Sequence, residues 1–268
     1  MKIAVVGGGI NGVMSAWNLA KAGFEVEVFE KDELIGATSS ASTKLLHGGL
    51  RYLEQFRFGL VAEGLSERAW WLENAPQHTR TLELILPLYD DSSRSRFKFK
   101  TGLALYDWLA GSRSIGRHRW LAPRELARMA PELKIDGLRG GFVFHDGQMN
   151  DRALGLWAAD RARDAGVRFH ERSLVQKISL EGDIVLAGEH RQFDFVINAA
   201  GPWARSLLDR GGIASRYQLD LVRGSHLVFA EPLEFGFVLE APSDKRICFA
   251  LPYENQTLLG TTEVRQSL

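Results

Sequence analysis

The sequence predicts an α/β protein of two domains, each assembled from discontinuous segments of the chain. An apolar run, Ile3–Val6, passes directly into a glycine-rich loop and then into a helical pattern. Helical and strand-like patterns alternate again at 151–198, as expected for βαβ units around a parallel sheet. Shorter apolar runs at 82–87, 141–144 and 219–259 have the character of antiparallel strands and predict a second, mixed and largely antiparallel sheet.

The first thirty residues contain every element of a Rossmann-like nucleotide-binding unit. Apolar residues between 13 and 20 recur at helical spacing, and Gly23 stands where a helix commonly ends. Glu25–Phe29 alternates like a second strand, and Glu30 follows it. Strand, glycine turn, helix, strand and acidic residue in this order and spacing predict a site for an adenine dinucleotide.

Each part of this unit has a physical role in binding a dinucleotide. Gly7 permits the tight turn, Gly9 lets the backbone approach a pyrophosphate, and Gly12 lets the helix pack closely on the strand. The helix N-terminus directs N–H groups and a partial positive charge at the phosphates. Glu30 can accept hydrogen bonds from both ribose hydroxyls and would repel a 2′-phosphate, which favours FAD or NAD over NADP.

A second unit repeats this pattern later in the chain. A helix is predicted over Asp151–Ala165, a strand over 167–170, and a buried strand over Phe193–Asn198. Small residues follow in Ala199–Trp203. Because open α/β sheets bind ligands beyond the carboxyl ends of their strands, these small residues are expected near the ligand, although a tight turn alone would also explain them.

Composition excludes several classes of protein. Lys plus Arg equals Asp plus Glu at 33 each, so no overall charge favours nucleic acid as a partner. Cys248 is the only cysteine, which excludes an intramolecular disulfide and is compatible with a reducing cytoplasm. The sequence shows no signal-peptide pattern and no apolar run of the ~18 residues that a transmembrane helix needs. We therefore expect a cytoplasmic protein, and no metal site is predicted.

The stretch Gly36–Leu53 is too unusual for an ordinary loop. It contains five Ser or Thr side chains, a lysine, a histidine and a Gly-Gly pair followed by an arginine and a tyrosine. Hydroxyls and backbone N–H groups can hold a pyrophosphate, and a glycine pair lets the main chain lie against a flat ring. Positive charge on Lys44, His47 and Arg51 would attract an anionic substrate.

This stretch closely resembles the flavin-dependent sn-glycerol-3-phosphate dehydrogenases, within the D-amino-acid-oxidase-like FAD superfamily. The other segments that carry the resemblance are Leu65–Arg68, Gly141–Gly147, Val196–Ala204, Val222–Val228, Ala250–Tyr253 and Leu259–Glu263. Together they cover the chain nearly end to end. The resemblance implies a glutathione-reductase-like FAD-binding domain at 1–78 and 146–215 and a substrate domain at 79–145 and 216–268.

The resemblance also implies which residues hold FAD. The first group is Gly7, Gly9, Ile10, Asn11, Gly12, Glu30, Lys31, Thr38, Ser39, Ser40, Ser42, Leu174, Val175, Ala199, Ala200, Gly201 and Trp203. The second group is Thr43, Lys44, His47, Gly48, Gly49 and Leu50, of which the last four would line the flavin face.

The activity implied by the resemblance is oxidation of sn-glycerol 3-phosphate to dihydroxyacetone phosphate, with hydride passing to flavin and electrons passing on to a quinone or similar acceptor. Arg51 and Tyr52 would reach the substrate phosphate, which an arginine fork fits well. His47 and His226 are the candidate bases, since imidazole titrates near working pH. Two alternatives stay open: a related enzyme for a 2-hydroxy acid or an amino acid, and a flavin-binding protein without turnover.

A basic and aromatic stretch at 94–109 is compatible with a membrane contact. Arg94, Arg96, Lys98 and Lys100 interleave with two phenylalanines ahead of an amphipathic pattern. Such a stretch can lie on the inner face of the cytoplasmic membrane, where a quinone reductant would meet its acceptor. It can equally form a helix that covers the substrate domain after a solvated basic turn, and the pattern does not decide between them.

The sequence departs from the family's pattern at its C-terminal end. Family members continue past the Gly260–Glu263 region into a Gly-x-Arg-Pro-type segment that returns to the FAD domain, and none follows Leu268. We expect a fragment or truncated product, a chain completed by a second chain, or a shortened domain that binds FAD without turnover. Surface that the absent segment would cover should then be exposed.

Overall fold

The computed structural model describes residues 1–266. The strands are β1 (Lys2–Val6), β2 (Glu25–Phe29), β3 (Leu45–Leu46), β4 (Thr79–Tyr89), β5 (Arg119–Leu121), β6 (Leu138–Met149), β7 (Arg168–His170), β8 (Val175–Ile178), β9 (Asp183–Leu186), β10 (Glu189–Gln192), β11 (Phe195–Asn198), β12 (Val222–Arg223), β13 (His226–Phe229), β14 (Gly236–Glu240), β15 (Ile247–Tyr253), β16 (Gln256–Gly260) and β17 (Val264–Arg265). The α-helices are α1 (Ile10–Lys21), α2 (Phe58–Asn74), α3 (Arg96–Ala110), α4 (Pro123–Met129), α5 (Asp151–Asp164) and α6 (Ala204–Gly211). Short 3₁₀ turns lie at Thr38–Ser40, Leu50–Gln55, Gly111–Arg113 and Gly201–Trp203.

The chain divides into two compact units, each made of separate segments. Unit 1 comprises 1–42, 150–221 and the residues from 265, and unit 2 comprises 43–149 and 222–264. The sequence predicts the first boundary at residue 78, which would assign residues 43–78 to the nucleotide-binding domain. In the structure this segment packs within unit 2, since Val61 and Leu65 share one buried apolar cluster with Tyr106 of α3.

Unit 1 is built on a parallel four-stranded sheet in the order β11-β1-β2-β7. The sheet is covered on both faces, which explains why β1 is apolar from Ile3 to Val6. Ile3 and Val5 pack with Ala16 of α1. Ala4 and Val6 pack on the other side in a cluster that includes residues of α6 and of the antiparallel sheet β10-β9-β8.

Most of the predicted elements of unit 1 are confirmed, with one correction. β1, α1, β2, α5 and β7 lie where the periodicity places them. The predicted burial of the strand at Phe193–Asn198 holds for Phe193 but is wrong for Phe195. That strand begins at Phe195, pairs with β1 on one side at the end of the sheet, and leaves 55% of Phe195 exposed.

Unit 2 contains an eight-stranded mixed sheet whose main path is β13-β16-β15-β14-β4-β6-β3, with β5 paired to β6. The pairing of β14 with β4 is parallel, and the other pairings are antiparallel, as predicted. Leu84 on β4 packs with Leu103 of α3 in one apolar cluster, whereas Ile85 packs with Leu126 of α4 in another. The predicted strand at 219–222 is wrong for 219–221, because only Val222–Arg223 is extended into a strand.

Candidate functional site

In unit 1 the glycine loop connects the end of β1 to the start of α1 along a path that other residues cannot follow. Gly7 has a φ of +111°, and a Cβ on it would collide with the carbonyl group of Ala199. A Cβ on Gly12 would collide with the carbonyl oxygen of Gly7. Both glycines are therefore required by close backbone packing, as the dinucleotide pattern predicts.

The amides of this loop have specific acceptors. Gly8 N donates to the Glu30 carboxylate at 2.7 Å, and Ile10 N donates to Ser39 Oγ at 2.9 Å. The N-cap of α1, Gly9, has no side chain to accept from the first turn. The other Glu30 oxygen accepts from Asp32 N at 2.9 Å, and a carboxylate with about four lone-pair sites can still accept further hydrogen bonds.

A cavity of about 380 Å³ opens beside the loop. Its lining includes these predicted cofactor residues: Gly7, Gly9, Glu30, Lys31, Thr38, Ser39, Leu174, Val175, Ala199, Ala200, Gly201 and Trp203. Eleven predicted FAD residues lie outside the lining: Ile10, Asn11, Gly12, Ser40 and Ser42 of unit 1, and Thr43, Lys44, His47, Gly48, Gly49 and Leu50 of unit 2. The structure thus brings together, around one cavity, residues that are far apart in the sequence.

Sequence reasoning missed other residues of this cavity. These are Val6, Phe29, Ala37, Gln176, Pro202, Leu207 and Arg210. Phe29 was predicted as the last residue of the second strand, immediately before Glu30, so its place in the lining could have been inferred from that position. No sequence motif indicates that Gln176 or Arg210 lines a cavity. In the structure, Arg210 Nε donates a hydrogen bond to Gln176 O at 2.8 Å.

Two of the predicted serines are engaged in local structure. Ser42 donates to the Asp151 carboxylate from its amide at 2.9 Å and from its hydroxyl at 2.8 Å. Ser40 Oγ donates to Ala37 O at 3.0 Å. These bonds fix the backbone after Gly36, and cofactor binding by either serine stays a prediction.

In unit 2 the structure joins His226 to the Thr43–Lys44 pair. Nε2 of His226 lies 3.2 Å from Thr43 Oγ1, and the side chain is half-buried. Burial lowers the pKa of His226, and the nearby Lys44 charge lowers it further. Lys44 Nζ lies 5.5 Å from the centre of the Tyr253 ring. His226 is 183 positions from Thr43, so only the fold brings the two side chains into contact.

The His47–Tyr52 segment forms a tight turn in unit 2. His47 is exposed, whereas Gly48 is buried and donates its N–H to Tyr106 Oη at 2.8 Å. Gly49 has a φ of +76°, and a 3₁₀ turn begins directly after it. Arg51 is exposed, and its guanidinium carbon lies 5.8 Å from the centre of the Tyr52 ring.

The residues of unit 1 fit an adenine dinucleotide. The glycine path leaves room for close approach, the start of α1 offers N–H groups, and small residues at 199–201 border the same cavity. Lys31 lies there with Nζ 4.3 Å from the centre of the Trp203 ring, and its ammonium is paired with the Asp32 carboxylate. No group of His, Cys, Asp and Glu within residues 1–266 could hold a metal ion. None of the helices described within residues 1–266 has the length and apolar character of a membrane-spanning segment.

Comparison with known proteins agrees with this geometry. The glycerol-3-phosphate dehydrogenase of Synechocystis is 35% identical over an alignment that covers 98% of this chain and 52% of that protein. The structure is similar to that of glycerol-3-phosphate dehydrogenase from Bacillus halodurans complexed with FAD, with a TM-score of 0.79, 24% identity, and coverage of 100% of this chain and 48% of the other.

Glycine oxidase from Geobacillus kaustophilus shares the fold as well, with a TM-score of 0.66 and 22% identity. The match covers 99% of this chain and 72% of the glycine oxidase chain. The chain spans about half the length of the curated glycerol-3-phosphate dehydrogenases that it matches. The model of the FAD dependent oxidoreductase family, abbreviated DAO, matches residues 2–267. The chain therefore belongs to the family of FAD-dependent oxidoreductases.

Proposed function

We propose that this protein binds FAD and oxidises sn-glycerol 3-phosphate to dihydroxyacetone phosphate. The observation that carries the proposal is the cavity beside Gly7–Gly12, which is lined by most of the residues expected to hold the dinucleotide. The substrate is supported by the similarity to glycerol-3-phosphate dehydrogenases and by the Thr38–Leu53 stretch.

Unit 1 supplies the binding groups for the dinucleotide. The start of α1 and Ser39 would hold the pyrophosphate, because unpaired helix N–H groups and a hydroxyl are good partners for phosphate oxygens. Glu30 would accept the ribose hydroxyls with the lone pairs that Gly8 and Asp32 leave free. Bound FAD supplies the acceptor for the hydride that leaves the carbinol carbon of the substrate.

The proton of the substrate hydroxyl needs a base, and His226 has the environment for that role. Burial and the Lys44 charge lower its pKa, so at neutral pH the imidazole is more completely in the neutral form that accepts a proton. Thr43 holds the ring through its contact with Nε2. His47 stays the second candidate, and its side chain is exposed.

Arg51 and Tyr52 are the proposed ligands of the substrate phosphate. Arg51 is exposed, and a guanidinium can form two parallel hydrogen bonds to phosphate oxygens. The contact with the Tyr52 ring would hold its side chain near that position. Arg51→Lys should raise KM more than it lowers kcat, since a single ammonium cannot form the paired contacts.

Anaerobic titration of the FAD-loaded protein tests the proposed activity. We expect sn-glycerol 3-phosphate to bleach the flavin absorbance and release dihydroxyacetone phosphate, while glycine and 2-hydroxy acids leave the spectrum unchanged. Bleaching by an amino acid or a 2-hydroxy acid instead would assign the chain to that substrate class. If none of these candidate substrates bleaches the flavin absorbance, the protein binds FAD without turning over any of them.

The proposed electron acceptor is a quinone, reached at a membrane surface. Phe97 and Trp108 of α3 are 77% and 74% exposed, which suits insertion into the interfacial region. The basic charge beside them is partly neutralised, because Arg94 and Lys98 both pair with Glu54, at 2.7 and 3.3 Å. We expect sedimentation with anionic liposomes to fall when Phe97 and Trp108 are changed to Ser, and unchanged sedimentation would exclude this surface.

A further inference from the structure

Three buried polar side chains that sequence reasoning did not select meet inside unit 2, beside the predicted flavin-face residue Gly48. Arg68 of α2, Tyr106 of α3 and Asp146 of β6 are 2%, 2% and 3% exposed. Arg68 Nη1 donates to Asp146 Oδ1 at 2.9 Å, and Tyr106 Oη donates to Asp146 Oδ2 at 2.9 Å. A buried ion pair is often no more stable than a well-packed apolar substitute, so stability alone does not explain this cluster.

The cluster is directed at one backbone amide. Gly48 N lies 2.8 Å from Tyr106 Oη, and an N–H group can only donate, so the Tyr106 oxygen must accept there. Its own proton is then directed to Asp146. Burial raises the pKa of Tyr106 well above its ordinary value, and the Asp146 charge raises it further, so the phenol stays protonated.

Arg68 balances the carboxylate at the far end. Burial raises the pKa of Asp146, and the attraction to Arg68 opposes that rise. Without the guanidinium, the carboxyl group would take up a proton more readily and would be a weaker acceptor for the Tyr106 hydroxyl. The hydrogen bonds therefore link Arg68 to Asp146, Asp146 to Tyr106, and Tyr106 to the Gly48 amide.

Packing fixes the same turn from a second direction. A Cβ on Gly48 would lie 2.5 Å from Leu65 Cδ2 and 2.6 Å from Tyr106 Oη, so no larger residue fits. Gly49, with a φ of +76°, turns the chain directly afterwards. The backbone of His47–Gly49 thus has one hydrogen bond to the cluster and no room to move toward it.

We propose that Arg68, Tyr106 and Asp146 are positioning residues that set the His47–Gly49 backbone and thereby the side chain of His47. None of the three touches a reactant; they act through the Gly48 amide. This inference rests on the proposed function for its consequence, because the His47–Leu50 turn is the segment assigned to the flavin face. The hydrogen-bond relay itself is independent of the cofactor.

The test is Tyr106→Phe, which removes the acceptor and keeps the ring. Amide hydrogen exchange at Gly48, followed by NMR of ¹⁵N-glycine-labelled protein, should become at least about tenfold faster. Thr79→Val is the matched control, since it removes another buried hydroxyl of unit 2, one that donates to Ala75 O at 2.9 Å. Unchanged Gly48 exchange in Tyr106→Phe, or equal acceleration in Thr79→Val, would overturn the inference.

A second variant and a second readout separate this inference from the proposed function. Asp146→Asn should also accelerate Gly48 exchange, by leaving Tyr106 or Arg68 without its acceptor. In the FAD-loaded protein, Tyr106→Phe should shift the flavin absorption band, and Thr79→Val should not. If the parent protein binds no FAD, the proposed function fails, while the exchange measurement still decides whether the relay positions the turn.

Discussion

Two glycine-containing turns of this protein are held in different ways. The Gly7–Gly12 loop of unit 1 is shaped by backbone contacts, with Gly7 close to Ala199 and Gly12 close to Gly7 itself. The His47–Gly49 turn of unit 2 is shaped by side chains, since Gly48 donates to Tyr106 in a buried polar cluster.

The difference shows where each shape is encoded. The first turn follows from glycine spacing between a strand and a helix, so a change of one glycine should disrupt it. The second depends on residues 20 to about 100 positions away, so it should fail when a distant partner is removed. Removing one member of a buried polar cluster leaves its partners without hydrogen bonds and lowers stability. A close backbone contact is instead disrupted when an added side-chain atom has no room.

The largest expected effect comes from breaking the cluster that holds the second turn. Arg68→Ala leaves the Asp146 carboxylate buried without its ion pair, so the free energy of unfolding should fall by ~3–5 kcal/mol. Urea denaturation followed by circular dichroism measures it. Arg94→Ala is the control, because its pairs with Glu54 and Glu240 lie near the surface and should contribute ~1 kcal/mol or less. Equal losses in the two variants would contradict the account.

A collision in the first turn should come next. Gly7→Ala introduces both a disfavoured φ and a clash, for a loss of about 3 kcal/mol and of measurable FAD binding. Gly23 has a similar φ of +88° with open space around it, so Gly23→Ala isolates the backbone strain. We expect Gly23→Ala to bind FAD normally, and a parallel loss of binding in both variants would show that packing at Gly7 is unimportant.

Unit 1 also contains a buried charged residue, Glu27, whose contribution to stability should depend on pH. Burial of Glu27 raises its pKa, but hydrogen bonds from Arg168, Arg191 and His170 outweigh it and lower the pKa to about 2. Between pH 4.5 and about 2, the Glu27 carboxyl is therefore protonated more readily in the unfolded chain than in the folded protein. The stabilisation of the folded state by ionised Glu27 is complete above pH 4.5 and is lost as the pH falls toward 2.

The expected loss over that window is on the order of 2 kcal/mol, measured as the difference between the parent and Glu27→Gln in urea denaturation at several pH values. The two stability curves should converge as the pH falls. Curves that stay parallel from pH 6 to 3 would show that Glu27 does not titrate as described.

The smallest expected effect is at the start of α1. Ser39→Ala removes the acceptor of the Ile10 amide, which should lower the free energy of unfolding by ~1 kcal/mol. Ser206→Ala removes an exposed hydroxyl that donates within its own turn, to Trp203 O, and should change little. A greater loss in Ser206→Ala would reverse the assigned importance of the two hydroxyls.

The contrast between the turns also explains what could be predicted from the sequence. β1, the glycine loop, α1 and β2 are local patterns of apolar periodicity and glycine, and their positions were predicted correctly. The exposure of Phe195 was not, because an apolar run does not reveal whether its strand has neighbours on both sides. Arg68, Tyr106 and Asp146 were not selected, since only the packing of α2, α3 and β6 brings them together.

Equilibrium titration of the purified protein with FAD, read by quenching of flavin fluorescence and repeated with excess ADP, tests the central claim most directly. If the cavity beside Gly7–Gly12 holds the dinucleotide, one FAD binds per chain, ADP competes with it, and Gly7→Ala abolishes binding while Gly23→Ala does not. FAD that fails to bind, or that binds equally to Gly7→Ala and is indifferent to ADP, would contradict the account.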